Sequence, residues 1–151
     1  MASLKQQLRD DLQSAMRGHD ELRTATIRMV LTAITNEEVA GKAARELSDD
    51  EVQTVLRREA KKRREASVAY ADGGRPQQAQ RESDEQAVIE TYLPAQLGDD
   101  ELAELVRTAI AETGADGPKA LGTVMKAVQP RVAGRAEGGR VSAEVRRQLA
   151  G

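Results

Sequence analysis

Glu90-Thr91-Tyr92-Leu93-Pro94-Ala95-Gln96-Leu97 interrupts a chain that reads as helix on both sides of it. Proline lacks an N–H and pushes the preceding residue out of the α region, so a helix arriving through Val88, Ile89, Tyr92 and Leu93 is expected to stop near Leu93. A new helix has its own start in Gly98-Asp99-Asp100-Glu101, with a capping position and three acids at its positive end. Leu102, Leu105, Val106, Ala109 and Ile110 then recur on one face as far as Gly114. The chain is therefore expected to be all-α and multihelical, with an N-terminal helical subdomain over 1–94 and a C-terminal three-helix subdomain over 95–151.

Upstream, Ser3-Leu4-Lys5-Gln6 fits a capping box, and Leu4, Leu8, Leu12, Ala15 and Met16 make an amphipathic stripe until Gly18, which can end the helix in a left-handed conformation. Asp20 can cap a second helix running to about Gly41, apolar around most of its circumference and so buried. Ser48-Asp49-Asp50-Glu51 is a further capping box, opening a helix of about six turns to Ala71 that Gly73-Gly74 closes. Glu59 and Arg63 fall inside its apolar face, four apart and acid before base, which predicts a partly buried ion pair. Arg57, Lys61 and Arg64 gather on the opposite side. That stripe invites a nucleic-acid reading, but a solvated helix face is the preferred one, since exposed charge runs on helices are common and Glu65 and nearby acids dilute its field. Pro76 opens a polar helix whose early turns are expected on the surface and whose last two turns dock.

Beyond the joint, Gly117-Pro118 starts a helix with Leu121, Val124, Met125 and Val128 on one stripe and Lys119 and Lys126 on the other side. Pro130 is expected to stop or kink it, and Ser142 to cap a last short helix. Charge is divided along this half. Residues 98–116 hold one base and six acids, a net −5, whereas 117–151 hold seven bases and two acids, a net +5. A compact cationic element suits phosphate-backbone binding, and Gly134, Gly138 and Gly139 would let backbone N–H groups approach phosphate oxygens. The chain's 151 residues include no Phe, no Trp and two Tyr, so base stacking has few platforms and folded RNA contacted through its backbone fits better than single strands.

Composition excludes several classes. With no cysteine there are no disulfides and no thiol chemistry, and His19, the one histidine, has neither a Cys nor a second His to form a metal site. No Gly-rich phosphate loop, dinucleotide fingerprint or nucleophile with a histidine partner is visible, so no catalytic residue, cofactor or metal is assigned. The longest apolar run covers residues 68–71, and the opening Met1-Ala2-Ser3-Leu4-Lys5 lacks an export segment, which makes the cytoplasm the expected location.

The joint stretch, with Leu22-Arg23-Thr24-Ala25-Thr26-Ile27-Arg28-Met29, Lys61-Lys62-Arg63-Arg64-Glu65-Ala66, Glu112-Thr113-Gly114-Ala115 and Leu121-Gly122-Thr123-Val124-Met125, resembles the YqeY-like proteins over nearly the whole chain. That family is related to the tail of the B subunit of tRNA-dependent amidotransferases. The resemblance implies two helical subdomains and a connection with tRNA, which the related tail is thought to contact. Carried over residue by residue it points to Gly122, Lys126, Arg131, Gly134, Arg135 and Gly138; Lys119 and Arg140 complete the candidate nucleic-acid-binding set. Two departures stand out: Thr123 occupies a position where the family commonly has Lys, and Ala136-Glu137-Gly138-Gly139 replaces an Ala-Asp-Gly. The resemblance implies no catalysis, because amidotransferase chemistry belongs to parts this chain lacks; a carbon–nitrogen ligase label with glutamine as amido-N-donor would derive from the shared tail. The expected function is a non-catalytic tRNA- or RNA-binding accessory module. Alternatives are a protein-binding adaptor using the acidic helix 99–113 or the charged face of helix 48–71, and, third, a component linked to amidotransferase activity.

Overall fold

A computed structural model describes residues 3–151. The described residues form seven α-helices and no strand, so the protein is all-α. The chain divides into two compact units, Met1–Leu93 and Pro94–Gly151.

The N-terminal unit holds α1 (Leu4–Arg17), α2 (Glu21–Glu38), α3 (Asp49–Asp72) and α4 (Pro76–Glu90). Ser3 caps α1 by accepting from the Gln6 N–H, Asp20 caps α2 through the Arg23 N–H, and Ser48 with Glu51 forms a reciprocal capping box on α3. Each side-chain cap of this kind typically contributes about 1 kcal/mol. Leu8, Ile27, Val30, Ile34, Val52, Val55, Leu56 and Ile89 are among the buried residues of the core, all of them aliphatic, with the ring of Tyr92 packed against it. Burying a side chain such as Leu56 stabilises by about 1.5–3 kcal/mol. Lys5 of α1 bonds Glu38 at the end of α2 at 2.7 Å, and the same carboxylate accepts the Leu47 N–H at 3.1 Å. These bonds, the one to Lys5 foremost, hold the Glu38 carboxyl below its ordinary range.

Several local expectations change here. The left-handed residue after α1 is His19, with φ +54°, while Gly18 keeps φ −82°. Gly18 still donates to the Ser14 carbonyl, so the reversal falls one residue later, at a histidine in the turn. Helix α2 ends at Glu38 rather than near Gly41, and α4 at Glu90 rather than Leu93, residues 91–93 continuing as tight turns in which Leu93 N–H reaches the Glu90 carbonyl. The early turns of α4 are docked, not superficial. Ala79 is buried there, and the Ser67 hydroxyl donates to its carbonyl at 2.8 Å. The predicted Glu59–Arg63 pair is present at 3.4 Å, and Arg63 also faces Glu85 at 3.3 Å and Glu82 at 3.7 Å on α4. Polar side chains dock this end of α4, so an apolar-periodicity reading passes over it.

The C-terminal unit holds α5 (Asp99–Thr113), a single 3-10 turn (Pro118–Ala120), α6 (Leu121–Val132) and α7 (Gly138–Ala150). Its separate core comprises Leu97, Leu102, Val106, Ala109, Val124, Val128, Val132, Ala136, Val141 and Val145. Gly114 ends α5 in the left-handed region at φ +65°, where any side chain would be strained. Pro130 does not stop α6, which continues to Val132. The one hydrogen bond it forfeits belongs to the carbonyl of Lys126, on the exposed side of the helix, where water can serve instead. Nor does Ser142 cap α7. The helix begins four residues earlier, at Gly138 with Glu137 in the cap position, and Ser142 lies within it, donating to the Gly139 carbonyl at 3.2 Å.

Candidate nucleic-acid interface

Helix α6 is positioned by Val124, Val128 and Val132, which recur at four-residue steps and are 0–1% exposed. That seam turns Gly122 and Lys126, four apart, to the outside, where both are exposed. Lys119, in the 3-10 turn leading into α6, is exposed as well. Among the described residues neither lysine makes an ion pair or hydrogen bond. A Cβ built on Gly122 would meet nothing within 4 Å, so the glycine leaves a bare stretch of helix between the two ammonium groups, with exposed Thr123 beside it.

The arginines of the candidate set are used differently. Arg131 is ion-paired with Glu112 of α5. Arg135 turns back on the end of α6, donating from Nε to the Val132 carbonyl at 3.2 Å and from its guanidinium to the Arg131 carbonyl at 3.0 Å. It thereby satisfies carbonyls that a helix terminus leaves without partners. Arg140 donates to the Leu97 carbonyl and to Asp99, both at 3.0 Å, while the Leu97 N–H donates to the Arg135 carbonyl at 2.8 Å. Leu97 is thus held through both backbone groups, which fixes the lead into α5. Gly134 has φ +77°, directly after Ala133 at φ +50°, and together they turn the chain out of α6. Gly138 and Gly139 form the first turn of α7, exposed and with open space at each Cβ position, so their N–H groups lie at the positive end of a helix.

In the sequence, the bases of this half look alike as candidates for phosphate. That Arg135 and Arg140 have main-chain carbonyls as partners is hidden there, because a carbonyl leaves no mark in a residue pattern. Elsewhere, a shallow hollow beside the α1–α2 turn, lined by Met16, His19, Asp20, Glu21 and Arg28 among others, mixes both signs of charge. No group of three His, Asp or Glu able to hold a metal occurs among the described residues.

A family model described as Yqey-like protein matches residues 5–149. The chain belongs to the YqeY-like family. The match spans both units, so the family pattern covers the helical N-terminal unit as well as the three-helix unit carrying the α6 face. No curated protein matches the chain. No helix of this YqeY-like protein is long and apolar enough to cross a membrane, among the described residues.

Proposed function

We propose that this YqeY-like protein is a non-catalytic RNA-binding accessory module that takes tRNA or another folded RNA on the outer face of α6. The observation that carries the reading is the exposed pair Lys119 and Lys126, flanking Gly122 with no carboxylate partner among the described residues. Ammonium groups without internal partners can neutralise phosphates and release condensed counterions, and a helix stripped to backbone between them admits a sugar–phosphate chain closely. The scarcity of aromatic rings favours backbone contact over base stacking. Kinship with the tail of the amidotransferase B subunit, implied by the family resemblance, makes tRNA the first RNA to try.

Fluorescence anisotropy of labelled total tRNA across a salt series, with duplex DNA as control, tests this. Saturable binding that prefers tRNA and weakens with salt is expected. Replacing Lys119 and Lys126 by Ala flattens the slope of log K against log salt by up to about 0.7–0.9 for each phosphate that is no longer neutralised. Absence of tRNA binding at low salt would remove the reading and direct attention to a protein partner, to be sought by pull-down.

A further inference from the structure

The longest helix of the N-terminal unit sorts its charges by side. Between Arg57 and Arg64, α3 carries six bases and one acid. The acid, Glu59, faces the interior at 4% exposure, and Arg63 turns inward beside it at 3.4 Å. Outward, two successive turns present Arg57 with Arg58 and Lys61 with Lys62, a two-by-two block of cations in which Arg57 and Lys61 lie opposite Val52, Val55, Leu56 and Ala60 while Arg58 and Lys62 lie on the flank. At the usual rise per residue the two pairs stand about 6 Å apart along the axis.

The partners this block has inside the protein leave its cations open to water. The Arg57 guanidinium meets the Thr54 hydroxyl at 3.3 Å and no carboxylate among the described residues. Arg58 reaches Glu37 at 3.4 Å with both side chains nearly half exposed, and Lys61 is 4.0 Å from Glu65 with both 65% exposed. Contacts so open to water are weak and easily exchanged for a better anion. Lys62 approaches the buried Glu59 at 3.1 Å but is itself 58% exposed.

We infer that this face of α3 is a second phosphate-binding surface, which takes the backbone of a folded nucleic acid. Arginine forks pair with phosphate oxygens, and long lysine stems let the second pair follow a bent backbone. A membrane surface fits less well, because α3 has already committed its apolar face to the core, whereas interfacial helices bury theirs in lipid. An acidic protein fits less well too, since the block contains no aromatic or large apolar anchor of the kind that carries protein interfaces. The inference takes its ligand class from the RNA-binding reading above but uses a different unit.

The test compares three full-length proteins, wild type, R57A/R58A/K61A and K119A/K126A, each checked by circular dichroism, for anisotropy with labelled total tRNA across a salt series. Alanine favours helix, so the α3 variant is expected to keep its fold. It should bind at least tenfold more weakly at low salt and with a salt slope lower by about 2. Wild-type affinity and slope in the α3 variant, with K119A/K126A impaired, would overturn this inference and leave the α6 reading standing. The converse pattern would retain the α3 surface and remove the α6 face. No binding of tRNA by wild type overturns both. Binding to vesicles containing phosphatidylserine that the α3 variant loses, while its tRNA binding is unchanged, would assign the block to a membrane instead.

Discussion

Arg63 shows how much one side chain can decide beside a core whose buried hydrophobic residues are all aliphatic. Its side chain is 12% exposed, and its guanidinium lies among Glu59, Glu82 and Glu85, with the Met29 thioether also in contact. A charge this far from water persists only where opposite charges and hydrogen bonds replace hydration. Removing it strands Glu59, which is buried and keeps only Lys62 at 3.1 Å. Arg63→Ala is therefore expected to lose about 3 kcal/mol of stability, the low end for breaking a buried pair because Lys62 remains. Combined with Glu59→Gln, the loss should be less than additive by about 1 kcal/mol or more, as for residues in direct contact. Urea denaturation of the four proteins of that cycle measures the coupling; strict additivity would mean that Glu59 and Arg63 act separately.

At the level of elements, the same cluster explains why α4 docks along its whole length although its apolar residues lie mostly at one end. Glu82 is the member held at a cost. Its carboxyl is pushed above the ordinary range by burial first and by the charge of Glu85 second, with Arg63 and Arg81 opposing, and its buried Oε2 has no hydrogen-bond partner. A carboxyl raised in the folded state adds stability below its unfolded value, and that contribution is lost as pH rises through the folded value. Glu82→Gln should therefore be more stable than wild type at pH 7, with the advantage shrinking as pH is lowered toward 4. Urea midpoints at the two pH values decide it, and an advantage that grew on acidification would refute the assignment. Such docking is hard to read from sequence because Glu82 and Glu85 look like ordinary surface residues until α4 faces the inward-turned Arg63 of α3. Helix starts fare better where a side chain does the capping, as Ser3, Asp20 and Ser48 do. The start of α7 is illegible by that rule because no side chain caps it: Ser142 offers a hydroxyl five residues too late, and Glu137 takes the cap position in an extended backbone conformation without a side-chain bond to the helix end.

Considered as a whole, the molecule is acidic, with a net charge of −2, yet it gathers solvent-facing cations in two places, unpaired among the described residues on α6 and weakly paired on α3. Overall charge therefore says little about its partners, and local sorting by helix side says more. The all-α class and the aliphatic interior follow from the caps, Pro94 and the missing aromatics. The division of labour among the C-terminal cations does not, because it depends on which carbonyl or carboxylate each one meets in space. This division makes the location of binding measurable without altering a residue. The buried residues of the C-terminal unit's core are Val, Leu and Ala, and units this small are marginal in stability, so a bound ligand should change their opening visibly. A ligand at a hundred times its dissociation constant stabilises the state it binds by about 2.7 kcal/mol. Hydrogen exchange with and without saturating tRNA should therefore show slower exchange of amides in α6, by up to about a hundredfold where opening of that unit limits exchange, and duplex DNA should give less. Protection confined to the N-terminal unit would instead place the RNA on α3, and protection nowhere would mean that the exposed lysines of α6 serve solvation alone.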